Sequence, residues 1–381
     1  MEARPVASSQ HPVIPSSHHP TIPSSHHPSI PSSHHPRRDP CPNRSAFTFH
    51  RAALCAIPDW REEQVAALIR RKLDEWGYAH NTDGAGNVVV HLAGRDPDAP
   101  LCCFAAHMDE IGMVVTSIDA DGSLQVARSG GLHPWKLGEG PVEVLGDHGS
   151  IQGILSMGST HSTTAGASAV TWADTRVITG LTPSQLAAAG IRPGSTAVPV
   201  RGVCGPIVFG DPTDPLVGAW TFDDRMGVVA LLLLLEALKR GQIMPHHPTV
   251  VAFTVHEEGG GHGAKVLAQR LQPETFIAID GCPMPPGAPL VLDSRPGIWS
   301  KDRTAHYDQR LVQALCAAAR TRVPNCSPSP MRAQPAMPVW SIPAAEPTGS
   351  PALGMCAKTA TATKSRASLY STTWSKPWSS L

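Results

Sequence analysis

Two adjacent carboxylates, Glu257 and Glu258, follow an apolar run at 249–255 and precede the glycine-rich stretch Gly259-Gly260-Gly261-His262-Gly263. Burying one carboxylate at a strand end is costly, and burying two needs a proton or a cation in compensation. A metal site meets that need, with one glutamate as ligand and its neighbour as proton carrier. A solvated acidic turn would explain the pair equally well if it stood alone. It does not stand alone. His107 and Asp109 follow the apolar run 101–106, Asp223-Asp224-Arg225 precedes an apolar helix expected at 227–239, and Asp280 closes a strand expected at 275–280. Singly, His107 could be a core histidine, Asp223 a helix N-cap and Asp280 a turn residue. Jointly, these clusters fall where ligands gather in open α/β sheets, beyond the carboxyl ends of the strands. Imidazole and carboxylate donors suit zinc, cobalt or manganese.

The elements that must position these residues alternate. A helix is expected over 62–76, where Val65, Leu68, Ile69 and Leu73 fall at helical spacing and Gly77 stops it. A turn at 83–87 leads into a strand at 88–92, and 101–106 and 111–117 read as further strands. Between about 118 and 211, glycine and proline punctuate short strand-like pieces at 142–145, 150–155, 197–203 and 206–209. The helix–strand pattern then returns, with helices at 227–239 and 263–270. An α/β domain interrupted by a small β module accounts for this order.

Composition narrows the function classes. The 381 residues are 41% hydrophobic, enough for a large core, and 31 basic residues balance 31 acidic ones. No basic surplus points to nucleic acid or an anionic membrane. The longest apolar run, 228–235, is far too short to span a bilayer. The N-terminus is polar and proline-rich, without the pattern of a secretory signal. The nine cysteines include no CxxC, which favours a reducing, cytoplasmic setting over a disulfide framework. Residues 8–36 carry an eight-residue repeat of the type Ser-Ser-His-His-Pro, too rich in proline and too poor in large apolar residues to build a core.

Taken together, the segments Ala106-His107-Met108-Asp109-Glu110-Ile111-Gly112, Phe222-Asp223-Asp224-Arg225-Met226-Gly227, Glu257-Glu258-Gly259 with Gly263-Ala264, and Ile279-Asp280 resemble the dinuclear metallo-aminopeptidases of the glutamyl and deblocking type, some of which carry the label cellulase M or endoglucanase. The resemblance runs from about 54 to 321. It implies a zinc-peptidase-like α/β fold, a mostly parallel sheet flanked by helices, with an inserted small β-barrel-like domain. The expected organisation is a disordered low-complexity tail (1–46), a catalytic domain in two parts (47–117 and 212–326) around the inserted domain (118–211), and an aberrant, disordered tail (327–381).

The resemblance also implies roles. His107, Asp223, Glu258 and Asp280 would bind two divalent ions per subunit, zinc or cobalt, with Asp223 bridging them. Glu257 would be the general base, and Asp109, counted with it as catalytic, would orient the His107 imidazole. Substrates would be peptides, cut at the free N-terminus. The family forms hollow homo-oligomers, commonly dodecamers. One further histidine ligand is expected near the C-terminus, yet none follows His306. A gene read one base out of frame would explain this, because the preceding frame can place a histidine across the codons for Ala360 and Thr361. Such a chain would be impaired.

Other readings stand beside this one: a related two-metal amidohydrolase acting on acylated amino acids, and a non-catalytic remnant serving in metal binding or assembly. A glycosidase using Glu257 and Glu258 as acid and base is disfavoured because neighbours on a strand point to opposite faces.

Overall fold

The computed structural model describes residues 62–158, 170–210, 216–282, 296–301, 306–322, 353–360 and 363–364. The tail expected at 1–46 lies outside them. Helix α1 (Glu62–Glu75) buries Val65, Ala66, Ile69 and Leu73 along one stripe. It ends where Gly77 adopts a left-handed conformation (φ +68°) and Tyr78 donates back to the Leu73 carbonyl at 2.9 Å.

Six strands form the main sheet: β1 (His80–Thr82), β2 (Val88–Leu92), β3 (Cys102–His107), β12 (Thr249–Thr254), β13 (Thr275–Cys282) and β14 (Leu353–Ala360), in spatial order β1-β2-β12-β3-β13-β14. The four strands from β12 to β14 pair in parallel, and β1 and β2 add an antiparallel edge. All six residues of β12 are buried, as a central strand covered on both faces requires. Its side chains alternate between two cores. Val251 and Phe253 join α1 and helix α2 (Phe222–Gly241) on one face, and Val250 and Ala252 join helix α3 (His262–Leu271) on the other. Being packed on nearly every side, α2 is apolar around its circumference from Val228 to Leu235. A fourth long helix, α4 (Gln309–Arg322), buries Val312 beside Tyr307.

The β module is a closed six-stranded barrel, in the order β4 (Gly112–Ile118), β5 (Leu124–Ser129), β8 (Arg176–Ile178), β7 (Ser150–Ser156), β6 (Gly140–Leu145) and β9 (Thr196–Pro199). Met113, Val115, Leu124, Val144, Leu155, Val177 and Ala197 fill its interior. The module therefore begins earlier than position 118, because β4 is a barrel strand and not the last strand of the first catalytic segment. It also closes earlier than 211. The strand expected over 197–203 stops at Pro199, and the chain turns through a short helical segment, Arg201–Cys204. The next strand, β10 (Ile207–Phe209), pairs outside the barrel with β11 (Leu216–Gly218), which in turn pairs with β15 (Thr363–Lys364). No strand is legible in the sequence after 326, yet β14 and β15 lie there. The other residues of the expected tail at 327–381 lie outside the described ones.

The parallel pairing brings the site together. Thr254 lies opposite His107, and Ala278, two residues before Asp280, lies opposite Ala105, two before His107. The carboxyl ends of β3, β12 and β13 thus share one edge of the sheet, as expected for ligand sites in such folds.

Candidate active site

His107 is the hub. The imidazole is 3% exposed, at the end of β3. Its Nδ1 lies 3.0 Å from the Asp109 carbonyl and 3.3 Å from Asp109 Oδ1. Its Nε2 faces carboxylates: Asp223 Oδ1 at 3.1 Å, Asp280 Oδ1 at 3.9 Å and Glu257 Oε2 at 4.0 Å. An imidazole that gives its Nδ1 proton to Asp109 presents an Nε2 lone pair to several carboxylates, an arrangement that calls for a cation or a proton between them. Burial disfavours charge on His107, but hydrogen bonding to Asp109 and Asp223 overcomes this and holds its pKa well above the ordinary histidine value.

The two glutamates lie beyond β12. The strand ends at Thr254, and the chain swings through His256 in a left-handed conformation (φ +55°). Strand alternation therefore does not separate Glu257 from Glu258, contrary to the sequence-based argument, because both sit on the turn that follows. Each supplies an oxygen to a group with His107 whose donor atoms all lie within 4.8 Å of one another. Asp109 fixes this turn. Its two oxygens accept the backbone N–H groups of Glu257 and Glu258, both at 2.9 Å. Burial would raise the pKa of Asp109, but His107 and those N–H groups hold it below the ordinary value. Burial raises Glu257 to about 7, with Asp280, Asp223 and Asp109 adding to the shift against the opposing pull of His107. Burial, followed by the charge of Asp223, raises Glu258 to about 9.

Asp223 and Asp224 are joined by a cis peptide bond and have non-helical backbone angles, so regular helix begins at Arg225. The two carboxylates divide their work. Asp224 is fully buried and accepts the N–H of His107 at 3.1 Å and of Gly227 at 2.9 Å. Asp223 reaches the imidazole with its side chain 48% exposed. His107, Asp224 and Asp280 form a second group of donors within 4.8 Å, and this group contains Asp224, to which the sequence assigned no role. The oxygens of Asp224 are thus taken up by two backbone donors, whereas Asp223 is the carboxylate of the pair that is open to solvent.

Other supporting residues escaped the sequence reading. Arg225 is completely buried, donates to the Met108 carbonyl and lies 3.6 Å from Glu110, itself 2% exposed. An acidic and a basic residue within the segments around His107 and Asp223 were the available signal, but nothing in the sequence says that they meet. The inserted barrel also reaches the centre. A Cβ at Gly130, just after β5, would lie 2.8 Å from Glu258 Oε2.

The profile of the M42 glutamyl aminopeptidase family matches residues 86–324. The chain belongs to this family. It is 28% identical over 239 residues to the glutamyl aminopeptidase of Lactococcus lactis subsp. cremoris, covering 58% of this chain and 62% of that one. It is 29% identical over 203 residues to the lysyl aminopeptidase of Pyrococcus furiosus, covering 52% of this chain and 55% of that one. The chain thus spans less than two thirds of these relatives' length. The solved TET1 peptidase of Pyrococcus horikoshii, which assembles into a tetrahedron or a large octahedral shell, matches with TM-score 0.62 and 27% identity over 73% of this chain and 82% of that one. His107, Asp109, Asp223, Glu257, Glu258 and Asp280 all fall within the family match.

Proposed function

We propose that this protein is a metal-dependent aminopeptidase that removes residues from the free N-terminus of peptides. The observation that carries this reading is the Nε2 of His107, buried and surrounded by Asp223, Asp280 and Glu257 within 4.0 Å. That donor set fits divalent cations such as zinc or cobalt. His107, Asp223, Glu258 and Asp280 would hold two of them, with Asp223 shared. Bound there, divalent ions supply Lewis-acid polarisation of a carbonyl and make water more acidic.

The protein's own residues do the remaining work. Asp109 fixes the orientation of the imidazole and, through the N–H groups of Glu257 and Glu258, the direction of both glutamates. Glu257, raised to about 7, is matched to general acid–base work near neutral pH. It takes a proton from the attacking water and returns it to the leaving amine. A centre dense in carboxylates also complements the cationic amine at a peptide N-terminus. By analogy with its TET relative, the enzyme acts as a homo-oligomer. No helix among the described residues is long and apolar enough to cross a membrane.

A second reading, a non-catalytic metal-binding remnant, draws on one observation: no histidine follows His306 to complete the ligand set implied by the family resemblance. Aminoacyl p-nitroanilides separate the two. The enzyme releases p-nitroaniline when zinc or cobalt is added, stops when the metal is chelated, and spares N-acetylated analogues. Absence of metal-dependent release, with zero or one ion bound per chain, supports the remnant.

A further inference from the structure

Four successive backbone N–H groups at the head of the catalytic turn are each accepted by a side chain from elsewhere in the fold. Val255 donates to Asn87 Oδ1 at 3.1 Å, and His256 to Glu62 Oε1 at 2.8 Å. Glu257 and Glu258 donate to the two oxygens of Asp109. The turn then closes on itself: Gly260 and Gly261 donate to the Glu257 carbonyl, His262 to that of His256, and Gly263 to that of Val255.

Asn87 also ties the far end of the turn, donating from Nδ2 to the Gly263 carbonyl at 3.0 Å. The same amide group donates to Asp83 Oδ2 at 2.9 Å, and Asp83 Oδ1 accepts the N–H groups of Ala85, Gly86 and Asn87. Asn87 is fully buried, and the packing allows no side chain beyond hydrogen at Gly263, where a Cβ would lie 2.4 Å from Asn87 Oδ1. Glu62, in the first turn of α1, reaches across to a loop 194 positions away in the sequence.

We propose that Asn87 and Glu62 are positioning residues for Glu257. Neither lies among the groups that would hold metal. Asn87 grips both ends of the turn, and Glu62 pins the left-handed His256 from which Glu257 projects. Without these acceptors the turn keeps its sequence but loses the orientation of its base, and a displacement of about 1 Å in a reacting group can cost about 10²-fold in rate. The assignment rests on Glu257 being the base proposed above.

The test compares Asn87→Ala, Glu62→Ala and Glu62→Gln with the wild type, using p-nitroanilide kinetics, metal content and hydrogen exchange of the peptide spanning the turn. Asn87→Ala and Glu62→Ala are expected to lower kcat by about 10- to 100-fold, with KM within about twofold and metal content unchanged. Glu62→Gln keeps an oxygen acceptor for the His256 N–H and should recover kcat to within about twofold of wild type. Both alanine variants should speed exchange in the turn, and Glu62→Gln should not. An unchanged kcat in Glu62→Ala, an equal loss in Glu62→Ala and Glu62→Gln, or a change confined to KM overturns the assignment. If Asn87→Ala does not fold, the Glu62 pair decides. If the wild type releases no p-nitroaniline, the aminopeptidase reading fails by itself. Exchange still tests the positioning, and unchanged exchange in both alanine variants overturns it.

Discussion

Gly227 packs against the carboxylate of Asp224 so closely that a Cβ at 227 would lie 2.5 Å from either carboxylate oxygen. Asp224 in turn holds the backbone N–H of His107, so this contact sets where the imidazole stands. Gly227→Ala should therefore push Asp224 out of place. The expected cost is about 1–3 kcal/mol of stability from overpacking, together with a lower zinc content, read by denaturant titration and elemental analysis. A variant as stable and as metal-rich as wild type would show that the contact relaxes freely.

Glu257 and Glu258 are expected to fail differently when each is made neutral. Glu257→Gln keeps the turn and should retain metal while losing about 10²- to 10⁴-fold in kcat, the range for removing a general base. Glu258→Gln should lose bound metal first. Metal analysis alongside kinetics separates them, and loss of metal from Glu257→Gln would reverse the assigned roles.

The metal-free protein should become less stable as pH rises from about 4.5 to 9. The ordinary glutamate value is 4.5, whereas Glu257 is raised to about 7 and Glu258 to about 9, burial being the main cause. Within that window the folded chain keeps protons that the unfolded chain has released. Stability is thus fully present at the acid end and declines as pH passes the folded values. His107, held above its ordinary value, acts in the same direction. Melting temperatures in chelator should fall from pH 6 to pH 9, and Glu258→Gln should flatten the slope. A melting temperature that rises over this range would contradict the assignment. Metal affinity should move the other way and increase with pH, because ligands must shed their protons to bind.

The C-terminal region yields a genetic prediction. β14 runs parallel to β13 with Lys358 opposite Asp280 and Ala360 opposite Cys282. Position 360 therefore lies at the sheet edge that carries Asp280, the edge on which the further histidine implied by the family resemblance would stand. Sequencing the gene across codons 320–381 should reveal an open preceding frame that encodes histidine over the codons for Ala360 and Thr361. Stop codons in that frame, or no histidine there, would dismiss the idea.

The sequence by itself determined a good deal. Apolar periodicity located α1, β12 and α2 to within a few residues, because a stripe or run of buried side chains leaves a local pattern. Histidine and carboxylates at strand ends and before α2 drew attention to His107, Asp109, Asp223, Glu257, Glu258 and Asp280 as candidates, because donor chemistry is written in residue type. Pairing is not written locally. Only the tertiary structure decided that β4 belongs to the barrel, by pairing with β9 as well as β5, that β10 pairs with β11 outside it, and that β14 joins the main sheet beside β13, since pairing depends on what the fold sets alongside each strand. It also decided that Glu257 and Glu258 share a turn and that Asp224 serves backbone N–H groups beside a more exposed Asp223. Asn87 and Glu62 carry no motif that announces a task. The role proposed for them exists only where the fold brings their oxygens to the N–H groups of Val255 and His256, because a hydrogen bond is a property of two positions and a sequence displays one at a time.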